Sequence, residues 1–352
     1  MSESAANFCP YCNERLCGSD DHIFLEAIGG KRTVRACKPC NDLFGHSFEA
    51  SAVAKFFYPL LLQLRMAGVP VAESEAQWKR AHVGDDGVIY KALLDGAGYR
   101  LQSSNIVVNR DDENPKVLNL VAGDDAVGRR QLKPFLDPSR FRLLSMERRL
   151  VDPREFKLDW GFNPDLKLTA LKMAVAIVSI ALPVELPGLA QPRGELTRAD
   201  LRVHPVSVAA DLRDHSALDA MRGDLCHVAY VEQLGGLIHA FVQFFGSIQF
   251  WVSLTHRASV SRSCALLAKL DPVTGEESFL EMIPLQLPPF RDAWVDARAP
   301  IRKLNASAVK RGSKVAEMIK INEVRVDGVP VNLRKPYWVT SWTGDVPKKT
   351  SS

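Results

Sequence analysis

The residues able to do chemistry are gathered at the start of the chain. Cys9-Pro-Tyr-Cys12 and Cys37-Lys-Pro-Cys40 form two Cys-x-x-Cys pairs, Asp21-His22 lies between them, and Asn41 follows Cys40 directly. Two such pairs can hold one zinc ion tetrahedrally through thiolates, so Cys9, Cys12, Cys37 and Cys40 are expected to form a structural zinc site. A module of this size needs such a staple to hold its shape. Cys17 lies outside both pairs and reads as a free thiol. A structural zinc has no use for Asp21, His22 or Asn41. Phosphodiester hydrolysis can use all three. Asp and Asn offer hard oxygen donors suited to Mg²⁺ or Mn²⁺, and a neutral His is a good general base near pH 7.

These residues need elements to position them. The local order reads as knuckle, extended segment (His22–Ile28), turn (Gly29-Gly30), return strand (Thr33–Ala36), second knuckle and helix, with Pro39 suited to the helix's first turn. The helix is expected to run from Asn41 to about Lys55, breaking near Glu49–Ser51 if at all. On it Asn41, Gly45 and Glu49 share one stripe. Gly45 would let the helix approach the hairpin closely. Glu49 is either a support for a metal ligand or water, or a solvated helical acid. His46, about 140° round from Asn41, reads as a surface or core residue. Lys31, Arg32 and Arg35 lie in and after the turn, where phosphate contact and ordinary solvation are equally open readings.

The order Cys-x-x-Cys, Asp-His, Gly-Gly, Cys-x-x-Cys-Asn resembles the HNH endonucleases of the zinc-containing ββα-metal (His-Me finger) kind, over residues 9–50. The resemblance implies that His22 is the general base and that Asp21 and Asn41 hold one Mg²⁺ against the scissile phosphate. It also implies 5′-phosphate and 3′-hydroxyl products. DNA is the expected substrate. One letter departs from the pattern. The middle Asn or His that usually buttresses the hairpin loop would fall near Lys31-Arg32-Thr33, and none of these is Asn or His. The competing reading is a catalytically silent zinc module that docks nucleic acid or a protein.

The rest of the chain carries no phosphate-binding loop, nucleophile elbow or dinucleotide fingerprint. His82, His204, His215, His227, His239 and His256 show no ligand spacing. A formal net charge of +4 permits a nucleic-acid partner without arguing for one. Basic clusters at Arg129–Arg149 and Arg302–Lys320 read either as phosphate-tracking surfaces or as solvated faces. No charged segment followed by an apolar run opens the sequence, and no apolar stretch suits a bilayer, so a cytoplasmic, reducing setting without membrane contact is expected. Leu166–Leu182 reads as a long helix. Cys226–Glu232, Leu237–Phe245 and Ile248–Leu254 read as a meander covered on both faces, Ala265–Leu270 and Phe279–Ile283 as a hairpin, and Ser307–Lys320 as a helix. The expected fold class is α+β: a ββα-metal zinc module at 1–52, then an α+β region at 53–352 with a mainly antiparallel sheet, for substrate recognition or regulation.

Overall fold

The computed structural model describes residues 8–14, 18–71, 79–83, 89–95, 98–103, 161–162, 164–199, 207–210, 223–255, 263–287, 293–295, 299–314, 324–326, 329–331 and 337–339. Cys17, the Arg129–Arg149 basic cluster and Lys320 lie outside them.

After the first knuckle, strand β1 (Ser19–His22) pairs antiparallel with β2 (Thr33–Ala36), with Asp21 opposite Val34 and His22 opposite Thr33. The first strand therefore ends at His22. Most of what reads as extended chain is loop, and Glu26–Ile28 is a turn of 3-10 helix. The return is too tight for a longer strand. Gly29 takes a left-handed φ of 96°, and Gly30 lies so close to Phe24 that a Cβ would sit 1.9 Å from its carbonyl oxygen.

Helix α1 (Lys38–His46) starts from Cys37, whose extended backbone caps it, with Pro39 in the first turn. The expected single helix breaks earlier than the sequence suggests, at Ser47. It resumes as α2 (Phe48–Ala52), widens to a π-helix over Val53–Phe57, and continues as α3 (Tyr58–Met66). Asn41, Gly45 and Glu49 thus do not share one helical face. Gly45 is not a point of close approach either, since a Cβ there would meet open space.

Strands β3 (Lys79–Val83), β4 (Ile89–Asp95) and β5 (Gly98–Ser103) form an antiparallel sheet. Strand β6 (Gly161–Phe162) precedes α4 (Pro164–Ala181), and α5 (Ala190–Arg198) follows it. The main sheet comprises β7 (Val208–Ala210), β8 (His227–Leu234), β9 (Leu237–Phe244), β10 (Ile248–Thr255), β11 (Cys264–Leu270) and β12 (Glu277–Met282). Its order is β12-β11-β8-β9-β10-β7, with antiparallel neighbours throughout. Strand β13 (Ala293–Val295) and helix α6 (Ala299–Lys310) follow. The last helix thus begins and ends earlier than the Ser307–Lys320 expectation, stopped by the turn at Arg311-Gly312. Short strands β14 (Val324–Val326) and β15 (Val329–Val331) form a hairpin, and β16 (Tyr337–Val339) pairs with β13. The protein is α+β, with its zinc-type ββα module at the N-terminus.

Helix α4 joins the two regions. It contacts α2, α5 and strands β7–β11, and every residue from Asp165 to Val178 is buried, as expected of a helix apolar nearly all round. One contiguous core links Tyr11, Phe44 and Phe57 to Leu171, Val175, Val231 and Leu304. A second cluster, including Tyr230, Phe241, Trp251 and Leu287, lines the other face of the sheet, which is therefore covered on both sides.

The two glycines of the first module should respond oppositely to a methyl group. Gly30→Ala is expected to destabilise the protein by about 2 kcal/mol or more through its clash with Phe24. Gly45→Ala, in an open helical position, should be neutral or stabilise by up to about 1 kcal/mol. Urea unfolding of both variants checks the contrast.

Candidate active site

The four paired cysteines converge. Their sulfur atoms all lie within 4.8 Å of one another, and Cys12 Sγ is 3.6 Å from Cys37 Sγ. This donor set fits a structural zinc. Hydrogen bonding from the Cys40 thiol draws the Cys9 thiol down to about 5, and the same bond holds Cys40 well above its ordinary value. Four sulfurs this close cannot all ionise without a cation among them. The first knuckle is held from outside by Arg193 of α5, whose Nε donates to Pro10 O at 2.8 Å. Burial lowers the pKa of that guanidinium, and the Cys9 and Cys12 sulfurs oppose the effect.

The hairpin separates Asp21 from His22 by the alternation of a strand. Asp21 faces inward at 2 % exposure, while His22 is half-buried. The Asp21 carboxylate has two partners: Oδ1 accepts from Lys172 Nζ at 2.7 Å, and Oδ2 accepts from the Tyr11 hydroxyl. Lys172, on α4, also lies 2.7 Å from Glu49 Oε1 and donates to His22 O at 2.7 Å. One ammonium thus stands among two carboxylates and a carbonyl. Burial alone would lower the Lys172 pKa, but Glu49 and Asp21 hold it above its ordinary value. A single positive charge balances only one carboxylate fully. Burial accordingly raises Glu49, against the pull of Lys172. Burial and Asp21 together push Tyr11 well above the usual phenol range, so it stays a donor.

Asn41 sits in the first turn of α1 and reaches across to β1. Its Nδ2 donates to Ser19 Oγ at 2.7 Å and to Asp20 O at 3.0 Å, which leaves Oδ1 as the atom able to meet a ligand. His46 is exposed and bonds Asp42 O through Nδ1. Lys31 and Arg32 reach over to the β11–β12 hairpin: Lys31 Nζ donates to Gly275 O at 2.9 Å, and the Arg32 guanidinium lies 4.5 Å from the centroid of the Phe279 ring. Arg35 pairs with Asp20 and Lys38 with Asp42, both on the surface. In the C-terminal basic cluster, Lys310 pairs with Asp224 and Arg311 with Asp271.

Residues 9–57 match the family model for HNH endonuclease. This segment is similar to the HNH endonucleases. No curated protein and no solved structure matches the chain. The HNH segment runs from the first knuckle through the π-helical turn, so it takes in Glu49 and Phe57 as well as the ββα elements. The match is what points to nuclease chemistry for this segment. No helix among the described residues is long and apolar enough to cross a membrane.

Lys172 and Tyr11 join the site without being marked by any motif in the sequence. A signal for the first was present: Lys167 and Lys172 are the only charged residues in the run Leu166–Leu182, and a buried lysine needs an acid. Tyr11, inside the first Cys-x-x-Cys, carried none beyond its position.

Two outcomes follow from this geometry. Lys172→Met strands two carboxylates in the interior and should destabilise the protein by about 3–5 kcal/mol, whereas Asp21→Asn/Glu49→Gln/Lys172→Met should recover most of that loss in thermal unfolding. The purified chain should carry roughly one zinc per molecule, and Cys37→Ser should lose it together with the protection of the hairpin and α1 from proteolysis.

Proposed function

We propose that the protein is a metal-dependent HNH endonuclease that hydrolyses phosphodiester bonds in DNA. Residues 1–52 form the nuclease module, and residues 53–352 present the nucleic acid or regulate its access. His22 is the general base. Its ring nitrogens make no hydrogen bond among the described residues, and it sits half-buried at the end of β1, open to a water molecule. Asp21 and Asn41 are the ligands for Mg²⁺ or Mn²⁺. The donor chemistry fits: Asn41 keeps its Oδ1, and each Asp21 oxygen keeps a lone pair after bonding Lys172 or Tyr11. When bound, such a cation supplies positive charge to the phosphate and to the departing 3′ oxygen.

The chain's own residues do the rest. His22 takes the proton of the attacking water at a ring nitrogen. Asn41 fixes α1 against β1, so that the last residue of the motif faces its first. Tyr11 and Lys172 fix both oxygens of Asp21. The products are a 5′-phosphate and a 3′-hydroxyl. Lys31, Arg32, Arg35 and Lys38 are exposed around the hairpin and the start of α1, where they can meet phosphates. The observation that carries this reading is the Asn41 bridge to Ser19 and Asp20 within a segment that matches the HNH family. One observation favours the second reading, a silent zinc module that docks nucleic acid or protein: the Asp21 carboxylate is buried and already engaged by an ammonium and a hydroxyl.

Nicking of supercoiled plasmid in Mg²⁺ or Mn²⁺ separates the two. The wild type should nick, and His22→Ala should lower the rate by about 10²–10⁴-fold while keeping its zinc. A zinc-loaded, folded wild type that cuts no DNA or RNA favours the docking module. A His22→Ala variant as active as wild type removes His22 from the role of base.

A further inference from the structure

The peptide unit that follows His22 is held at both ends. Its carbonyl, His22 O, accepts from Lys172 Nζ at 2.7 Å, and its N–H, on Ile23, donates to Arg32 O at 3.0 Å. Arg32 is held in turn. Its N–H and that of Lys31 donate to one oxygen, Oε2 of Glu277, at 2.8 and 2.9 Å. Two adjacent amides converging on one carboxylate oxygen form a charge-assisted clamp.

Glu277 stands on a rigid mount. It is the first residue of β12, just after a tight turn closed by Gly275 N donating to Asp271 O at 2.8 Å and Asp271 N donating to Glu276 O at 2.9 Å. The Asp271 carboxylate caps that turn through Val273 N and is anchored by Arg311. Lys31 Nζ on Gly275 O and Arg32 over Phe279 add two further ties between the same turn and the same hairpin. The Lys31–Thr33 loop lacks an Asn or His of its own, and the Thr33 hydroxyl makes no hydrogen bond among the described residues.

We propose that Glu277 is a positioning residue for His22: its carboxylate holds the Lys31-Arg32 amides, Arg32 O holds the peptide after His22, and the imidazole is thereby aimed. The chain's C-terminal sheet thus supplies the loop buttress that the N-terminal module lacks. This rests on the nuclease reading of His22. A contact that merely docked two parts of the protein would hold the loop without changing the chemical step.

The test uses the full-length, zinc-loaded chain as wild type, Glu277→Ala and Glu277→Gln. Glutamine keeps an oxygen acceptor and loses only the charge. Two readouts are taken: plasmid nicking in Mn²⁺, with the maximal rate separated from the half-saturating DNA concentration, and hydrogen exchange at the Lys31 and Arg32 amides. Glu277→Ala should lower the maximal rate by about 10–100-fold at unchanged half-saturation and zinc content. Its two amides should exchange at least about tenfold faster. Glu277→Gln should stay within about threefold of wild type in both readouts. A maximal rate in Glu277→Ala equal to wild type overturns the proposal, and so does unchanged exchange at both amides. A wild type that nicks nothing overturns the nuclease reading and the aiming role with it. The exchange arm then still reports on the clamp, so the two failures are told apart.

Discussion

A single buried ammonium organises this molecule. Lys172 Nζ lies 2.7 Å from a carboxylate oxygen of the hairpin, 2.7 Å from one of α2, and 2.7 Å from the carbonyl of His22. A lysine that is 1 % exposed is tolerable only with such partners, because an unpaired charge in the interior costs several kcal/mol. The requirement runs both ways. Asp21 cannot be buried without Lys172, and α4 cannot carry a lysine into the core without the two acids. The position of the hairpin relative to α4 is therefore set by charge, while the apolar core around Phe44, Phe57 and Leu171 supplies most of the driving force.

This changes how the HNH segment is understood. The zinc-type knuckles hold the hairpin ends to α1, but the interior of the hairpin is completed from elsewhere in the chain. Lys172 reaches it from α4, Glu277 reaches its loop from β12, and Arg193 of α5 holds the first knuckle. One core cluster runs from Cys9 to Ala308 and takes in residues of the module and of the main sheet. The cysteine cluster and a set of buried polar ties thus act together to remove freedom from Asp21, Asn41 and the His22 backbone. Asp21 is fixed on both oxygens, Asn41 on its amide nitrogen, and the His22 backbone on its carbonyl.

What the sequence disclosed follows from the range of the interactions. The convergence of the four cysteines was legible because each pair is local and the spacing itself encodes a knuckle. The place of Asn41 at the start of α1 was legible because it adjoins Cys40. The meander of the main sheet and α4 were legible from apolar runs ended by turn residues and by Pro183. Lys172 and Glu277 were not legible as parts of the site. The first lies 151 residues from Asp21 and the second 245 from Arg32, and nothing local to either names its partner. The break at Ser47 was misplaced for the same reason. Helical propensity continues through it, and the inward turn of Phe48 and Glu49 is settled by tertiary packing and by Lys172. Gly45 shows the reverse error, a glycine given a packing role where the structure leaves open space.

The proposed chemistry needs two distinct cation sites, one of thiolates and one of hard oxygens. Anomalous diffraction from crystals of the zinc-loaded full chain soaked in Mn²⁺ tests this most directly. The expected result is a zinc peak among Cys9, Cys12, Cys37 and Cys40, and a separate manganese peak within coordinating reach of Asn41 Oδ1 and an Asp21 oxygen. Manganese absent from Asp21 and Asn41, with Lys172 and Tyr11 still closing the carboxylate, would contradict it.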